Sequence, residues 1–326
     1  MRKTFILLLL SAMLCSTYAA NERIDRHALV VRNSPIVNSM DTLSSLSVGN
    51  GEFAYTVDAT GLQSFPEYYS LGVALGTQAQ WGWHSFPNDG DYRFEEILKP
   101  FDFGHHSKKE LYACQFKDDA RKRAACDYFR ANPHRLHLGV IGFDFEAIRP
   151  GTVASDIRDI HQNLNMWDGI ISSHFSLDGQ RYQVQTVCSP DRDMMSASVV
   201  YKPSFSGEMK PHAPILLRLP YPTGEHVDDA CDWKSIDKHT SGIIHQGNQY
   251  AVVRHIIDDC TYYITIRWSG KASFTEKAKH QFTLVPETNS INFSAEFTQT
   301  EPSAANLSEA KAQQAASFAV ISNKAK

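Results

Sequence analysis

The chain has 326 residues, of which 42% are hydrophobic and 21% charged, and its formal net charge is −4. Basic residues are scattered rather than striped, so neither a nucleic-acid partner nor an anionic membrane surface is predicted. The length fits either two average domains or one large all-β domain.

The N-terminus has the pattern of an export signal. Arg2 and Lys3 precede an apolar run over 5–10, and Thr17 and Ala19 stand at the small-residue positions of a cleavage site. We therefore expect residues 1–19 to be a signal peptide and the mature chain to be exported to the periplasm or secreted. The run is about half the length of a membrane-spanning helix, and no second such run follows, so no membrane span is predicted.

Strand patterns begin with the alternating segment 52–57, which follows a Gly49-Asn50-Gly51 turn and predicts a hairpin. Similar runs, rich in β-branched and aromatic residues, predict strands at 136–145, 174–177, 182–187, 195–201, 215–219, 251–256, 262–268, 280–285 and 291–297.

The Asp178-Gly179 dipeptide joins two of these runs and is a strong hairpin signal. No strand–helix alternation is visible, so the predicted fold is an all-β, large antiparallel β-sandwich over residues 20–300. Residues 301–326 are alanine-rich and predict a helical linker capped by Ser303 or Asn306.

Between Phe65 and Phe103 the strand pattern is weak and aromatic residues are dense. Long segments of this kind are usually functional.

The five cysteines beyond residue 19 match neither a zinc site nor a redox pair. Cys114 and Cys126 flank the charged stretch 117–123, and in an oxidising compartment they could close that loop with a disulfide. The alternative is that all five are small buried hydrophobic residues. The sequence leaves both readings open.

Three segments carry a family resemblance when read in order: 46–54, with Asp58 and Gly61 after it, then 81–88 and 162–169. Together they resemble the N-terminal β-sandwich of the six-hairpin glycosidases, in particular secreted, bacterial family 65-like glycoside hydrolases. The resemblance extends over the whole mature chain, because the alanine-rich tail resembles the linker that precedes the barrel of that family.

The resemblance implies a galactose-mutarotase-like supersandwich that packs on an (α/α)₆ catalytic barrel missing from this chain. The catalytic glutamate of such enzymes lies on that barrel, so no catalytic residue is assigned here. The implied partners are carbohydrate and the barrel, and the implied parent protein is an exported glycoside hydrolase acting on oligosaccharides.

Trp81, Trp83 and His84 are the predicted substrate-binding residues. Indole rings stack on the C–H faces of sugars, and an imidazole can hydrogen-bond to hydroxyl groups. The alternative is that both tryptophans fill the interface with the barrel.

Other chemistries are weakly supported. The acidic residues around the aromatic segment are predicted to be solvated rather than a catalytic pair; these are Glu67, Asp89, Asp91, Glu95 and Glu96. The histidines His105, His106, His134 and His137 lack regular metal-ligand spacing. No metal or cofactor is predicted.

Three hypotheses remain at this stage. The chain is the accessory sandwich of a glycoside hydrolase, a stand-alone carbohydrate-binding module, or an incomplete, non-functional fragment that exposes the apolar surface meant for a barrel.

Overall fold

The structure, a computed structural model, describes residues 24–104, 109–203, 207, 210–303 and 307. The predicted signal peptide lies outside these ranges, as does the predicted linker helix apart from 301–303 and 307. The described helices are α1 (Arg26–Val31), α2 (Pro66–Tyr69) and α3 (Ala120–Ala131), with 3₁₀ turns at Phe94–Ile97, Phe145–Ala147 and Ala154–Asp156.

A nine-stranded antiparallel sheet forms the larger layer. Its strands, in spatial order, are β1 (Ile36–Val37), β10 (Arg158–Asn165), β11 (Ile170–Leu177), β12 (Gln180–Cys188), β13 (Met194–Lys202), β20 (Ser290–Thr298), β17 (Cys260–Ser269), β16 (Tyr250–Ile257) and β15 (His239–Gln246). The other layer is a four-stranded sheet of β18 (Ala272–Ala278), β19 (Gln281–Pro286), β14 (Ile215–Arg218) and β9 (Val140–Phe143).

Three smaller sheets complete the described part of the chain. They are β2 (Leu46–Gly49) with β3 (Phe53–Val57) and β4 (Thr77–Ala79), the pair β5 (Trp83–His84) and β8 (His134–Arg135), and the ribbon of β6 (Leu98–Asp102) and β7 (Lys109–Ala113).

The two large sheets meet through aromatic side chains. Phe143 on β9 lies 5.8 Å from Phe175 and 5.6 Å from Tyr182, measured between ring centroids. Phe175 and Tyr182 stack on neighbouring strands at 4.6 Å, and Trp268 on β17 lies 6.1 Å from Phe274 on β18. Residues from both inner faces therefore share one core, and the predicted antiparallel β-sandwich is confirmed.

Both turns singled out in the sequence are hairpins. Asp178 and Gly179 have φ values of 49° and 79° and connect β11 to β12, as an Asp-Gly hairpin turn requires. In the turn from β2 to β3, the side-chain oxygen of Asn50 accepts hydrogen bonds from the backbone N–H groups of Glu52 and Phe53 at 2.9 and 2.8 Å. These local predictions are confirmed.

Helix α3 was not predicted. Asp119 caps it by accepting a hydrogen bond from the Lys122 backbone N–H at 3.0 Å. Its buried residues are Ala125 and Cys126, so the amphipathic pattern that reveals a helix in a sequence is weak here. The segment 65–103 likewise holds short elements, α2, β4, β5 and β6, in place of one long loop.

The β6–β7 ribbon buries none of its ten residues. Phe101 and Tyr112 lie on it, and Phe103 directly follows β6. The three rings have centroid separations of 5.8–6.4 Å, and each side chain is more than a third exposed. The ribbon therefore projects from the sandwich and contributes little to its core.

Asp58, from the first family-like segment, organises the loop that leads into the aromatic region. Its buried carboxylate accepts hydrogen bonds from the backbone N–H groups of Thr60, Ser64 and Phe65 at 2.7–2.9 Å, and from the Thr60 hydroxyl at 2.5 Å. Burial raises the pKa of Asp58 to about 6, against the effect of these donors. The group is still ionised at neutral pH, as an all-donor environment requires.

Asp58→Asn is expected to lower the free energy of unfolding by about 3 kcal/mol, because an amide N–H₂ would face buried N–H donors. Urea denaturation measures the change. The control is Asp41→Asn, where an exposed carboxylate accepts from Leu43 N and Ser44 Oγ at 2.9 and 2.7 Å, and we expect a loss below about 1 kcal/mol. Equal losses in the two variants would contradict this role for Asp58.

Candidate functional site

Trp81 is an anchor within the sandwich. Its indole N–H donates a hydrogen bond to Asp193 Oδ2 at 2.6 Å, and its ring lies 6.1 Å from that of Tyr262 on β17. The side chain is half-buried against the main core. Its position therefore favours a packing role inside this domain.

Trp83, two residues later on β5, is 47% exposed. The guanidinium group of Arg135 on β8 lies 4.2 Å from the centre of the indole. Arg135 is itself held by hydrogen bonds to the carbonyl oxygens of Ala79 and Gln80, at 3.0 and 3.1 Å. One indole face thus rests on an anchored cation, which fixes the ring as a rigid aromatic platform.

His84 points the other way and is buried. Its Nδ1 lies 3.0 Å from His134 Nε2, and its Nε2 lies 3.1 Å from Asp258 Oδ2 without hydrogen-bond geometry. The hydroxyl of Tyr221 donates to the same Asp258 oxygen at 2.8 Å. His84 therefore belongs to a polar cluster beneath the aromatic platform.

The proton positions in this cluster follow from its one fixed acceptor. His134 Nδ1 lies 2.8 Å from the carbonyl oxygen of Ala131, so this nitrogen donates and the Nε2 of neutral His134 accepts from His84 Nδ1. Neutral His84 then turns an unprotonated Nε2 toward a carboxylate oxygen of Asp258. Burial lowers the pKa of His84, and the nearby Asp258 carboxylate opposes that shift.

A second group of histidines lies on β15 and β16. His239 Nδ1 is 2.6 Å from His255 Nε2, and His255 Nδ1 is 2.7 Å from the hydroxyl oxygen of Tyr262. Tyr262 donates in turn to the carbonyl oxygen of Leu138 at 2.9 Å. Every link has one donor and one acceptor with both imidazoles neutral. Burial lowers the pKa of His239 to about 4 and lowers the pKa of His255 well below its usual value.

His280 completes this group by stacking on His239 at 3.7 Å. Its Nε2 donates to the carbonyl oxygen of Ile236 at 2.9 Å, and its Nδ1 lies 2.8 Å from Ser241 Oγ. Tyr221 connects the two groups, because its ring lies 5.8 Å from His239 while its hydroxyl reaches Asp258. Tyr221 therefore joins two groups of buried imidazoles.

Of the three predicted sugar-binding residues, Trp83 is the one that offers an exposed ring, and sugar binding by Trp81, Trp83 and His84 stays a prediction. Among the acidic residues, Glu67 pairs with Arg218 and Glu96 with Arg121, at 2.7 and 2.8 Å. Across the described residues, no group of three or more His, Cys, Asp or Glu side chains is placed to hold a metal ion. His105 and His106 lie outside those residues.

The partners of His84 were not identified from the sequence. Asp258 sits in the β16–β17 turn with a φ of 50°, far from His84 along the chain, and no local pattern links them. In the part of the chain that the structure describes, no helix is long and apolar enough to cross a membrane.

No family model matches the chain, and no curated protein does. Thirty-eight chains of solved structures match. One of them is described as "Putative kojibiose phosphorylase from human microbiome", with a TM-score of 0.46 and 11% sequence identity. The match covers 89% of this chain and 36% of that one, so the chain spans about a third of that protein. At this level of similarity the match carries no argument about activity.

Acidification is expected to destabilise the fold. Burial lowers the pKa of His84, His134, His137, His239, His255 and His280. In the unfolded chain these groups take up protons near pH 6.5, whereas in the folded chain they do so at lower pH. The free energy of unfolding should therefore fall by several kcal/mol between about pH 6.5 and 4, as urea titrations at a series of pH values would show. Burial raises the pKa of Asp58, Asp193 and Asp229, so these groups stabilise the folded chain on acidification. They are three against six histidines, so the net effect of acid is destabilising.

His137 isolates one contribution, because burial lowers its pKa to about 4 while its Nε2 lies 3.0 Å from the Leu75 carbonyl oxygen. In His137→Gln the dependence of stability on pH should be smaller by up to about 1.4 kcal/mol per pH unit. His174→Gln, at an exposed position on β11, is the control and should keep the wild-type slope. A wild-type stability that is flat or rises on acidification would contradict the prediction.

Proposed function

We propose that the chain is the N-terminal, non-catalytic sandwich domain of an exported glycoside hydrolase that acts on oligosaccharides. In this proposal the domain packs on an (α/α)₆ catalytic barrel elsewhere in the polypeptide and contributes Trp83 to one side of the sugar pocket. The single observation that carries the proposal is the half-exposed indole of Trp83, held rigid on the guanidinium group of Arg135.

Physical chemistry favours a sugar as the ligand of this platform. An indole face attracts the polarised C–H groups of a pyranose ring, and a ring that is already fixed loses little conformational entropy on binding. The Arg135 guanidinium covers one face and carries a positive charge next to it. Hydroxyl groups at the rim of a stacked sugar would find polar partners there.

The three family-like segments support the proposal, since each shapes a defined part of the sandwich. The first forms the β2–β3 hairpin and the second contains the platform. The third ends in the turn from β10 to β11, where Asn165 Oδ1 accepts from the Trp167 backbone N–H at 3.0 Å and Asn165 Nδ2 donates to Asp168 Oδ2 at 2.9 Å.

A second candidate is a stand-alone carbohydrate-binding module. It is favoured by the fact that the platform is built entirely from residues of this chain: Trp83, Arg135 and the carbonyl groups that hold the arginine. The two candidates differ in whether the isolated chain binds sugar without a barrel.

The isolated chain is expected to show no turnover of aryl α- and β-glycosides, because the proposal assigns the acid and base of the reaction to the barrel. Release of the aryl group is the measurement, with a full-length related enzyme as the positive control. Turnover by the isolated chain at a rate similar to that of the control would contradict the proposed division of labour.

Trp83→Ala is expected to weaken oligosaccharide binding about tenfold, which corresponds to about 1.4 kcal/mol of lost stacking. Isothermal titration calorimetry measures the affinity, on the isolated chain and on a polypeptide that includes the barrel. Trp167→Ala is the matched control: Trp167 is 48% exposed but packs edge-on against His27 at 4.9 Å, and its loss should leave the affinity unchanged.

Each result separates the candidates. Trp83-dependent binding by the isolated chain favours the module, and Trp83-dependent binding that requires the barrel favours the accessory domain. Equal affinities for wild type and Trp83→Ala in both proteins would contradict both.

A further inference from the structure

Cys114 lies at the base of the β6–β7 ribbon. Its backbone N–H donates to the carbonyl oxygen of Ile97 at 2.9 Å, which extends the antiparallel ladder one step beyond the Leu98–Ala113 pair. Cys114 therefore lies beside Ile97 where the ribbon begins.

Ile97 packs against helix α3. It forms a small buried cluster with Ala125 and Cys126, separate from the main core. The carbonyl oxygen of Cys114 faces the part of α3 that carries Cys126, while the backbone N–H of Cys114 is bonded to Ile97.

The two cysteines are also in direct contact. Cys126 Sγ lies 2.8 Å from the carbonyl oxygen of Cys114. A carbonyl oxygen is about 2.4 Å from the Cα of its own residue, so the Cys126 sulfur lies within about 5 Å of the Cys114 Cα. The Cα of Cys126 is about 2.8 Å from its own sulfur, so the two Cα atoms are at most about 8 Å apart. This bound includes the roughly 4 to 7 Å that separates the Cα atoms of disulfide-bonded cysteines.

We propose that Cys114 and Cys126, which are free thiols in the structure, form a disulfide when the protein is in an oxidising compartment. The two thiols lose two protons and two electrons, and one S–S bond forms. The oxidant is a second disulfide, such as glutathione disulfide or a protein disulfide, whose S–S bond breaks to give two thiols. The inference is independent of the sugar-binding proposal.

The other described cysteines are poor candidates for the same chemistry. Cys188 is buried, and burial raises the pKa of its thiol to about 12. Burial also raises the pKa of Cys231 and of Cys260. Because the thiolate is the species that attacks a disulfide, these three exchange slowly.

The bond would strengthen a weakly held part of the molecule. The cluster under α3 contains three buried residues, and the ribbon itself buries none. A cross-link between Cys114 and Cys126 closes a short loop through the charged stretch 117–123 and restricts the unfolded states of that segment. It also fixes the base of the ribbon and so the position of its exposed aromatic side chains.

Peptide mapping tests the bond directly. The full chain is incubated with glutathione disulfide, alkylated and digested with trypsin without reduction. Cleavage after Lys109, Lys117, Arg123 and Arg130 releases peptides 110–117 and 124–130. We expect them to appear joined, lighter than their sum by two hydrogen atoms, and to separate after treatment with dithiothreitol. Recovery of both peptides singly alkylated after oxidation, or joined to other cysteine peptides, would overturn the proposal.

Limited proteolysis of the folded protein tests the consequence. Trypsin should cleave the 117–123 stretch about tenfold faster in Cys114→Ser than in the oxidised wild type, and dithiothreitol should remove the difference. Cys260→Ser is the control, because Cys260 lies on β17 away from the ribbon, and it should be cleaved like the wild type. Equal cleavage of Cys114→Ser and oxidised wild type would contradict a stabilising bond.

Discussion

The inner faces of the two large sheets bury a shared aromatic core, and the position of β5 with its neighbouring residues depends on that contact. Phe143 on the smaller sheet packs against Phe175 and Tyr182 on the larger one. Tyr262, from the same core, supports the indole of Trp81 at 6.1 Å. The strand that follows Trp81 is thereby held so that Trp83 projects outward while His84 projects inward. A single alternation along β5 thus separates an exposed platform from a buried polar cluster.

Burying several histidines inside a sandwich is compatible with stability only if each imidazole is neutral and hydrogen-bonded. The path from His239 through His255 to Tyr262 ends on a carbonyl oxygen, which sets the tautomer at each step. The path from His134 to His84 ends on the Asp258 carboxylate. When both imidazoles are neutral, His84 Nε2 carries no proton that it could donate to that carboxylate. The His84–Asp258 contact therefore differs from the other contacts of the two paths, because no hydrogen bond joins its two atoms.

Much of the sandwich could be predicted because strand alternation and turn chemistry are local properties of a sequence. The run at 182–187 and the Asp178-Gly179 turn are examples, and both lie where they were expected. Helix α3 could not be predicted, because two buried residues give it almost no apolar stripe. Trp83 was found as an aromatic residue in a dense segment, but its support by Arg135 joins distant strands. The role of Asp258 beside His84 depends on tertiary contact alone.

The β6–β7 ribbon has an evolutionary consequence. Because none of its residues is buried, substitutions along it cost little folding free energy, and selection for stability leaves them nearly unconstrained. Sequence preferences at Phe101, Phe103 and Tyr112 among related chains would therefore record selection for what these side chains touch. In most of the sandwich, selection for stability and selection for binding act on the same residues. On the ribbon, selection for binding acts without selection for stability.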